Sequence, residues 1–212
     1  MSTDDEVIGG EKMSFHPVMD YGAGHHQSAR ELPEEGPAFS FTPANVAKLE
    51  EICSRYPAEH RKSAIIAALY LAQGQQGYIT RAAMRAVAAA IRCTTAEVED
   101  IVYFYTMFYT RPVGKHIVQV CRTLSCALMG AERVTEELSK ALNLKPGETD
   151  AAKEFTLIEV ECLGACDRAP VVGVNDEWHE CQRPEDAQKL VDGLRARGAA
   201  SLTGCHLKVA GE

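Results

Sequence analysis

The chain has 212 residues, 46% of them hydrophobic, which suffices for one sizeable domain or two small ones with separate cores. Thirty acidic residues against 22 basic ones give a formal charge of -8, so the basic field that draws nucleic acid or an anionic membrane is excluded. No apolar run approaches the roughly 20 residues of a spanning helix. The best, from Ser63 to Ala72, is closed by Arg61, Lys62 and Gln73, and no direct membrane insertion is expected.

Residues 1–41 mix Gly, Pro, His and acids without an apolar period and read as a flexible N-terminal arm. Asp4, Asp5 and Glu6 stand where a secretory signal needs a basic region, so the expected compartment is a bacterial cytosol. His25 and His26 lie in the arm without a fixed third ligand, and read as solvated side chains rather than a metal site.

From Thr42 the pattern turns helical. Thr42 is suited to cap and Pro43 to the first turn, with Val46, Leu49, Ile52 and Tyr56 following on one stripe. A second helix is predicted over 58–73, apolar on nearly every side and hence enclosed, with Gly74 and Gly77 closing it. A third, over 81–92, sets Met84, Val87 and Ile91 against Arg81, Arg85 and Arg92. A fourth starts at Thr94, which forms a capping box with Glu97. Four such helices make a small bundle, predicted over 42–112.

After Arg111-Pro-Val-Gly114 the period changes. His116 to Cys121 reads as a buried strand, followed by a helix over 125–142 whose Leu128, Ala131, Val134, Leu138 and Leu142 face inward. A second strand is predicted from Phe155 to Cys162. Val171–Val174 and Glu177–Glu180 form a hairpin around Asn175-Asp176, and a closing helix runs from Pro184 to Arg197. Residues 113–197 are therefore a small α/β domain behind the helices, α+β taken as a whole, and 198–212 form a patternless tail.

Eight cysteines in a reducing compartment imply metal binding or redox work rather than disulfides. Cys121 and Cys162 end the two strands, and a helical crossover between them makes those strands parallel, so both ends lie on one side of the sheet. Cys126 falls in the first turn of the crossover helix, where the positive dipole end is expected to favour thiolate. Cys166 lies in a tight loop in which Gly164 lets backbone amides approach sulfur. Arg122 and Arg168 are available to offset cluster charge. The spacing points to an iron–sulfur cluster on Cys121, Cys126, Cys162 and Cys166 and leaves structural zinc, two disulfides or unrelated buried thiols open. Cys53, Cys93, Cys181 and Cys205 have no partners at ligand spacing and read as buried or idle thiols.

Phe104-Tyr-Thr-Met-Phe108, Pro112-Val-Gly-Lys115, Cys121-Arg-Thr-Leu-Ser-Cys126 and Val160-Glu-Cys-Leu-Gly-Ala-Cys166, followed by Ala169-Pro170, carry a resemblance over about residues 42–197. The chain resembles the family of thioredoxin-like 2Fe-2S subunits of bacterial respiratory complex I, the NADH:quinone oxidoreductase. The resemblance implies a helical N-terminal domain followed by a thioredoxin-like ferredoxin domain. It also implies one 2Fe-2S cluster ligated by Cys121, Cys126, Cys162 and Cys166. The charge of such a cluster, a dianion partly exposed to water in an acidic protein, predicts a low-potential one-electron carrier. The implied partners are an FMN- and NADH-binding subunit and other peripheral-arm subunits, on the cytoplasmic side of the inner membrane.

The equivalent diaphorase subunit of an NAD-linked hydrogenase or formate dehydrogenase shares these motifs, and a zinc-stabilised thioredoxin-like interaction module is the rival from another class. A thiol–disulfide oxidoreductase lacks its Cys-x-x-Cys here. No glycine-rich nucleotide loop follows a strand, so NADH and FMN are expected on another chain, and no nucleophile–base pair suggests substrate chemistry here. Asp167-Arg168 departs from the small or amide residues usual in relatives, with Arg168 expected to raise the potential. The aromatic run Tyr103, Phe104, Tyr105, Phe108 and Tyr109 is expected either to seal the two domains or to meet the flavin subunit.

Overall fold

The computed structural model describes residues 34–197. Helix α1 spans Pro43–Cys53, and the Thr42 hydroxyl accepts from the Asn45 amide as expected of a cap. A 3-10 segment, Ala58–Ala64, kinked at His60, leads into α2, Ile65–Gln76, which ends on Gly77 in a left-handed conformation. The expected helix over 58–73 is thus a composite, and Gly74 lies inside it rather than closing it. α3, Arg81–Ile91, buries Met84, Val87 and Ile91 completely. α4, Thr95–Phe104, starts with the expected capping box.

The four helices share one core built on Leu49, Leu69, Met84, Ile91, Val98 and Phe108. Each such side chain, fully buried, contributes about 1.5–3 kcal/mol. Val46 and Tyr56 do not join it, being 46% and 39% exposed. The stripe repeats at helical spacing in sequence, but Val46 lies in the exposed first turn of α1 and Tyr56 beyond its end at Cys53. Residues 34–41, assigned to the arm, instead pack on the helices: Glu35 pairs with Arg85, the Arg81 and Ala82 amides donate to the carbonyls of Glu34 and Glu35, and Phe39 meets Phe41 edge to face. The rest of the expected arm, His25 and His26 included, and the tail with Cys205 lie outside the described residues.

The Glu97 carboxylate accepts from the backbone amide and hydroxyl of Thr94, both at 2.8 Å, and pairs with Lys62. The Lys62 ammonium first, and the Thr94 donors next, hold its pKa down to about 2 from the ordinary 4.5. A depressed carboxylate stabilises the fold above its unfolded value and loses that contribution as pH falls through the folded one. Thermal melts between pH 6 and 2 are therefore expected to show a stability slope below about 4.5 that Glu97→Gln flattens. Equal slopes in both proteins would contradict the assignment.

The second half is a mixed four-stranded sheet in the order β2-β1-β3-β4, with β1 at His116–Cys121, β2 at Phe155–Val160, β3 at Val172–Val174 and β4 at Glu177–His179. β1 and β2 are parallel, His116 opposite Phe155 and Cys121 opposite Val160, and β3 and β4 form the expected hairpin. Strand β2 stops at Val160, so Cys162 stands two residues beyond it.

The crossover is two helices, not one. α5, Leu124–Leu128, ends before Gly130, whose φ of 92° turns the chain into α6, Ala131–Leu142. Leu128, expected inside, is 77% exposed because the break rotates it off the α6 stripe. α6 and α7, Ala187–Arg197, cover one sheet face through Val134, Leu138, Val191 and Leu194.

On the other face Tyr109 packs with Ile117, Ile158 and Val160, joining the helices to the sheet. Its amide donates to Gln73 Oε1, its carbonyl accepts from the Ile79 amide, and Gln73 Nε2 reaches the Met107 carbonyl. The aromatic run therefore divides. Phe108 is buried in the helical core and Tyr109 between the two halves, while Phe104 is 77% exposed. No helix among the described residues is long and apolar enough to cross a membrane.

Candidate metal centre

Parallel pairing puts the carboxyl ends of β1 and β2 side by side, and the loops leaving them carry the four cysteines. Two amides pin the start of these loops: Cys121 N donates to the Val171 carbonyl at 3.1 Å and Arg122 N to the Val160 carbonyl at 3.0 Å. The thiols meet in pairs. Cys162 Sγ lies 3.4 Å from Cys166 Sγ, and Cys121 and Cys126 hydrogen-bond each other. The pairs also feel one another, with Cys121 raising the cost of charge on Cys162 and Cys166. The inner pair is sealed, both thiols 2% exposed, whereas Cys162 and Cys166 are open to solvent.

The environments of the four sulfurs differ. Burial opposes a charge on Cys121, but the hydroxyl and amide of Thr123 and the Leu163 amide outweigh it, so its pKa is lowered. The Gly164 amide, 3.3 Å from Cys162 Sγ and presented from a φ of 85°, holds Cys162 low as well. Cys166 is raised because its thiol donates to Cys162. Cys126 is pushed up to about 11 by burial and by its bond to Cys121, with only the Val171 amide opposing.

That last value corrects the expectation of a dipole-favoured thiolate. α5 has five residues, and a helix so short has few aligned peptides, so burial decides. The expected cationic offset is also engaged elsewhere. Arg122 pairs with Glu161 at 3.2 Å, and Arg168 faces Asp167 at 3.6 Å and Glu180 at 3.8 Å.

Among the described residues no three His, Cys, Asp or Glu side chains converge on a single ion position. The donor set is instead two thiol pairs, ringed by amides and hydroxyls. A four-cysteine set is the donor complement of a two-iron cluster, whose bridging sulfides and thiolates need such donors. The residues present fit that group. The remaining described cysteines belong to neither thiol pair: Cys53 is buried in the helical core, Cys93 is half-buried against it, and Cys181 is exposed, its amide donating to the Arg168 carbonyl two residues past Cys166. Thr123 and Ser125 are the site residues that spacing does not single out. Their one signal in the sequence is that both are hydroxyl residues inside the run bounded by Cys121 and Cys126.

A family profile described as thioredoxin-like [2Fe-2S] ferredoxin matches residues 49–195. An NADH-quinone oxidoreductase subunit of Mycobacterium tuberculosis is 42% identical over 166 residues, covering 76% of this chain and 65% of the relative. The subunit of the same description from Rickettsia bellii is 39% identical over 158 residues, covering 74% of this chain and 95% of the relative. The chain thus spans just under two thirds of the mycobacterial relative's length and nearly all of the rickettsial one's. A solved NAD+-reducing [NiFe]-hydrogenase in the H2-reduced state superposes with a TM-score of 0.55 at 19% identity, covering 63% of this chain and 23% of that one. At that identity the likeness bears on the fold alone.

Proposed function

The chain belongs to the thioredoxin-like [2Fe-2S] ferredoxin family, and from that premise we propose that it is the electron-carrying 2Fe-2S subunit of an NADH:quinone oxidoreductase. Cys121, Cys126, Cys162 and Cys166 are the ligands in this reading, each touching pair serving one iron. The observation that carries it is the convergence of two thiol pairs at the ends of parallel strands, inside a match that spans most of the chain. When bound, the cluster supplies one-electron transfer at low potential.

The chain's own part is to hold and to tune. The sealed pair excludes water from one side, and the amides of Leu163, Gly164 and Val171 stabilise negative charge on sulfur. NADH and FMN belong to a partner subunit in this reading, with further peripheral-arm subunits around it, on the cytoplasmic side of a bacterial inner membrane. The division into a helical bundle domain over 42–112 and a cysteine-bearing domain over 113–197 belongs to the same reading, supported by two separate cores that meet at Tyr109.

Anaerobic purification with its native partners tests the whole reading. Two irons and two sulfides per chain are expected, with a paramagnetic signal after dithionite and flavin in a co-purifying subunit. A colourless chain with one zinc and no signal would remove the cluster. Hydrogenase or formate dehydrogenase subunits in place of quinone-reducing ones would move the cluster to that other assembly.

A further inference from the structure

Among the described residues, three long helices begin at a threonine, and in each the hydroxyl caps the backbone: Thr42 accepts from Asn45, Thr80 from Ala83 and Thr94 from Glu97. Thr123 stands at the same position before α5, in the same extended conformation with φ -75° and ψ 170°, yet its hydroxyl makes no capping bond. The oxygen lies instead 3.2 Å from Cys121 Sγ and also hydrogen-bonds Cys162, one member of each thiol pair. Two residues on, the Ser125 hydroxyl hydrogen-bonds Cys166. The hydroxyls come from the N-cap and the first turn of α5, after β1, and reach across to the loop after β2.

We infer that Thr123 and Ser125 are positioning residues that donate O–H···S hydrogen bonds to the cysteine pairs and raise the potential at which the site accepts an electron. The inference rests on the cluster reading above. A thiolate bound to iron carries no proton, so each hydroxyl must be the donor. Thr123 has one proton and serves either Cys121 or Cys162 at a time, and Ser125 serves Cys166. Reduction adds negative charge that spreads onto these sulfurs, and a donated hydrogen bond to a charged acceptor strengthens accordingly. The reduced state is therefore favoured over the oxidised one, which is a shift of potential and not only of stability.

The test is a redox titration of the full chain followed by electron paramagnetic resonance, comparing wild type with Thr123→Val, Thr123→Ser and Ser125→Ala. Thr123→Val keeps the shape and removes the donor, so its midpoint is expected at more negative potential, with Thr123→Ser returning it to the wild-type value. Ser125→Ala is expected to move in the same direction. Alanine is also the better helix former, so a folding defect does not stand in for the effect. Unmoved midpoints in Thr123→Val and Ser125→Ala overturn the inference, as does a shift that serine fails to reverse. If Thr123→Val does not load, Ser125→Ala alone decides. A wild-type chain without the reduced-state signal overturns the cluster reading itself.

Discussion

Cys126→Ala is expected to abolish stable iron binding while leaving a folded chain. Cys126 and Cys121 are each 2% exposed and form the sealed half of the site, so no water or neighbouring carboxylate reaches the vacated position. Removing only an outer partner of a metal ligand costs about 10–100-fold in affinity, and removal of a ligand exceeds that. The fold tolerates the change because Cys126 lies in a five-residue helix at the edge of the core and alanine suits a helix. Iron and sulfide analysis checks the outcome, with Cys53→Ala and Cys181→Ala as controls that keep full loading. A Cys126→Ala chain with wild-type iron, or a Cys53→Ala chain without it, would take the ligand set apart.

How far the sequence leads is clearest at these same cysteines. Strand, crossover and strand imply parallel neighbours, and parallel neighbours end together, so the meeting of Cys121 with the 162–166 loop follows from residue pattern and handedness alone. The protonation of Cys126 does not follow. It is set by burial and by the bond to Cys121, both tertiary facts, and the break at Gly130 is equally invisible to an apolar period that runs through Leu128 to Leu142. With the break in place Leu128 turns out to solvent, α5 is too short for a useful dipole, and burial raises the thiol. Thr123 and Ser125 escape the sequence for a related reason. Their aim is set by the path of the chain after Cys121, a tertiary fact, whereas the capping box at Thr94 and Glu97 is local and legible in four letters.

The helical half shows the same division. Periodicity places Met84, Val87 and Ile91 correctly because α3 lies between α2 and α4 and its whole apolar face is covered. Val46 and Tyr56 satisfy the same periodicity and are exposed, since periodicity names a face and not its extent. The aromatic run cannot be apportioned from sequence. Tyr109 N is bonded to Gln73 on α2, 36 residues away in the chain, while its side chain packs on Ile117, Ile158 and Val160 of the sheet, and Phe104 is left outside.

Gly114 offers the strongest expected effect on stability. It follows Pro112 and Val113 in a motif whose composition suggests only a turn, and nothing in its backbone conformation demands glycine. The requirement is space: a Cβ there would sit 2.4 Å from the carbonyl carbon of Phe155 and 2.7 Å from its Cα and N. Those are backbone atoms of the neighbouring strand, which cannot rotate aside as a side chain would. The Gly114 amide also donates to Thr156 Oγ1 at 2.6 Å, and two residues on, His116 pairs with Phe155 as the first rung of the parallel ladder.

Gly114→Ala must therefore part β1 from β2 where they begin, or break the Thr156 bond. Overpacking against a fixed neighbour costs roughly 1–3 kcal/mol and occasionally more, and with a buried hydrogen bond at risk the upper part of that range is expected, about 3 kcal/mol. For a chain of this size that corresponds to a fall in Tm of about 6–12 °C. Gly173→Ala is the matching control, because its added methyl would meet the Leu163 and Gln119 side chains at 3.5 and 3.7 Å and the Gln119 carbonyl oxygen at 3.9 Å, all ordinary contact distances. A calorimetric scan of the two variants in the metal-free chain separates them, and equal melting temperatures would contradict the close approach at Phe155. In the loaded chain the same substitution is expected to speed iron loss, since β1 runs from this contact to Cys121 and any displacement at its start shifts the spacing of the thiol pairs at its end.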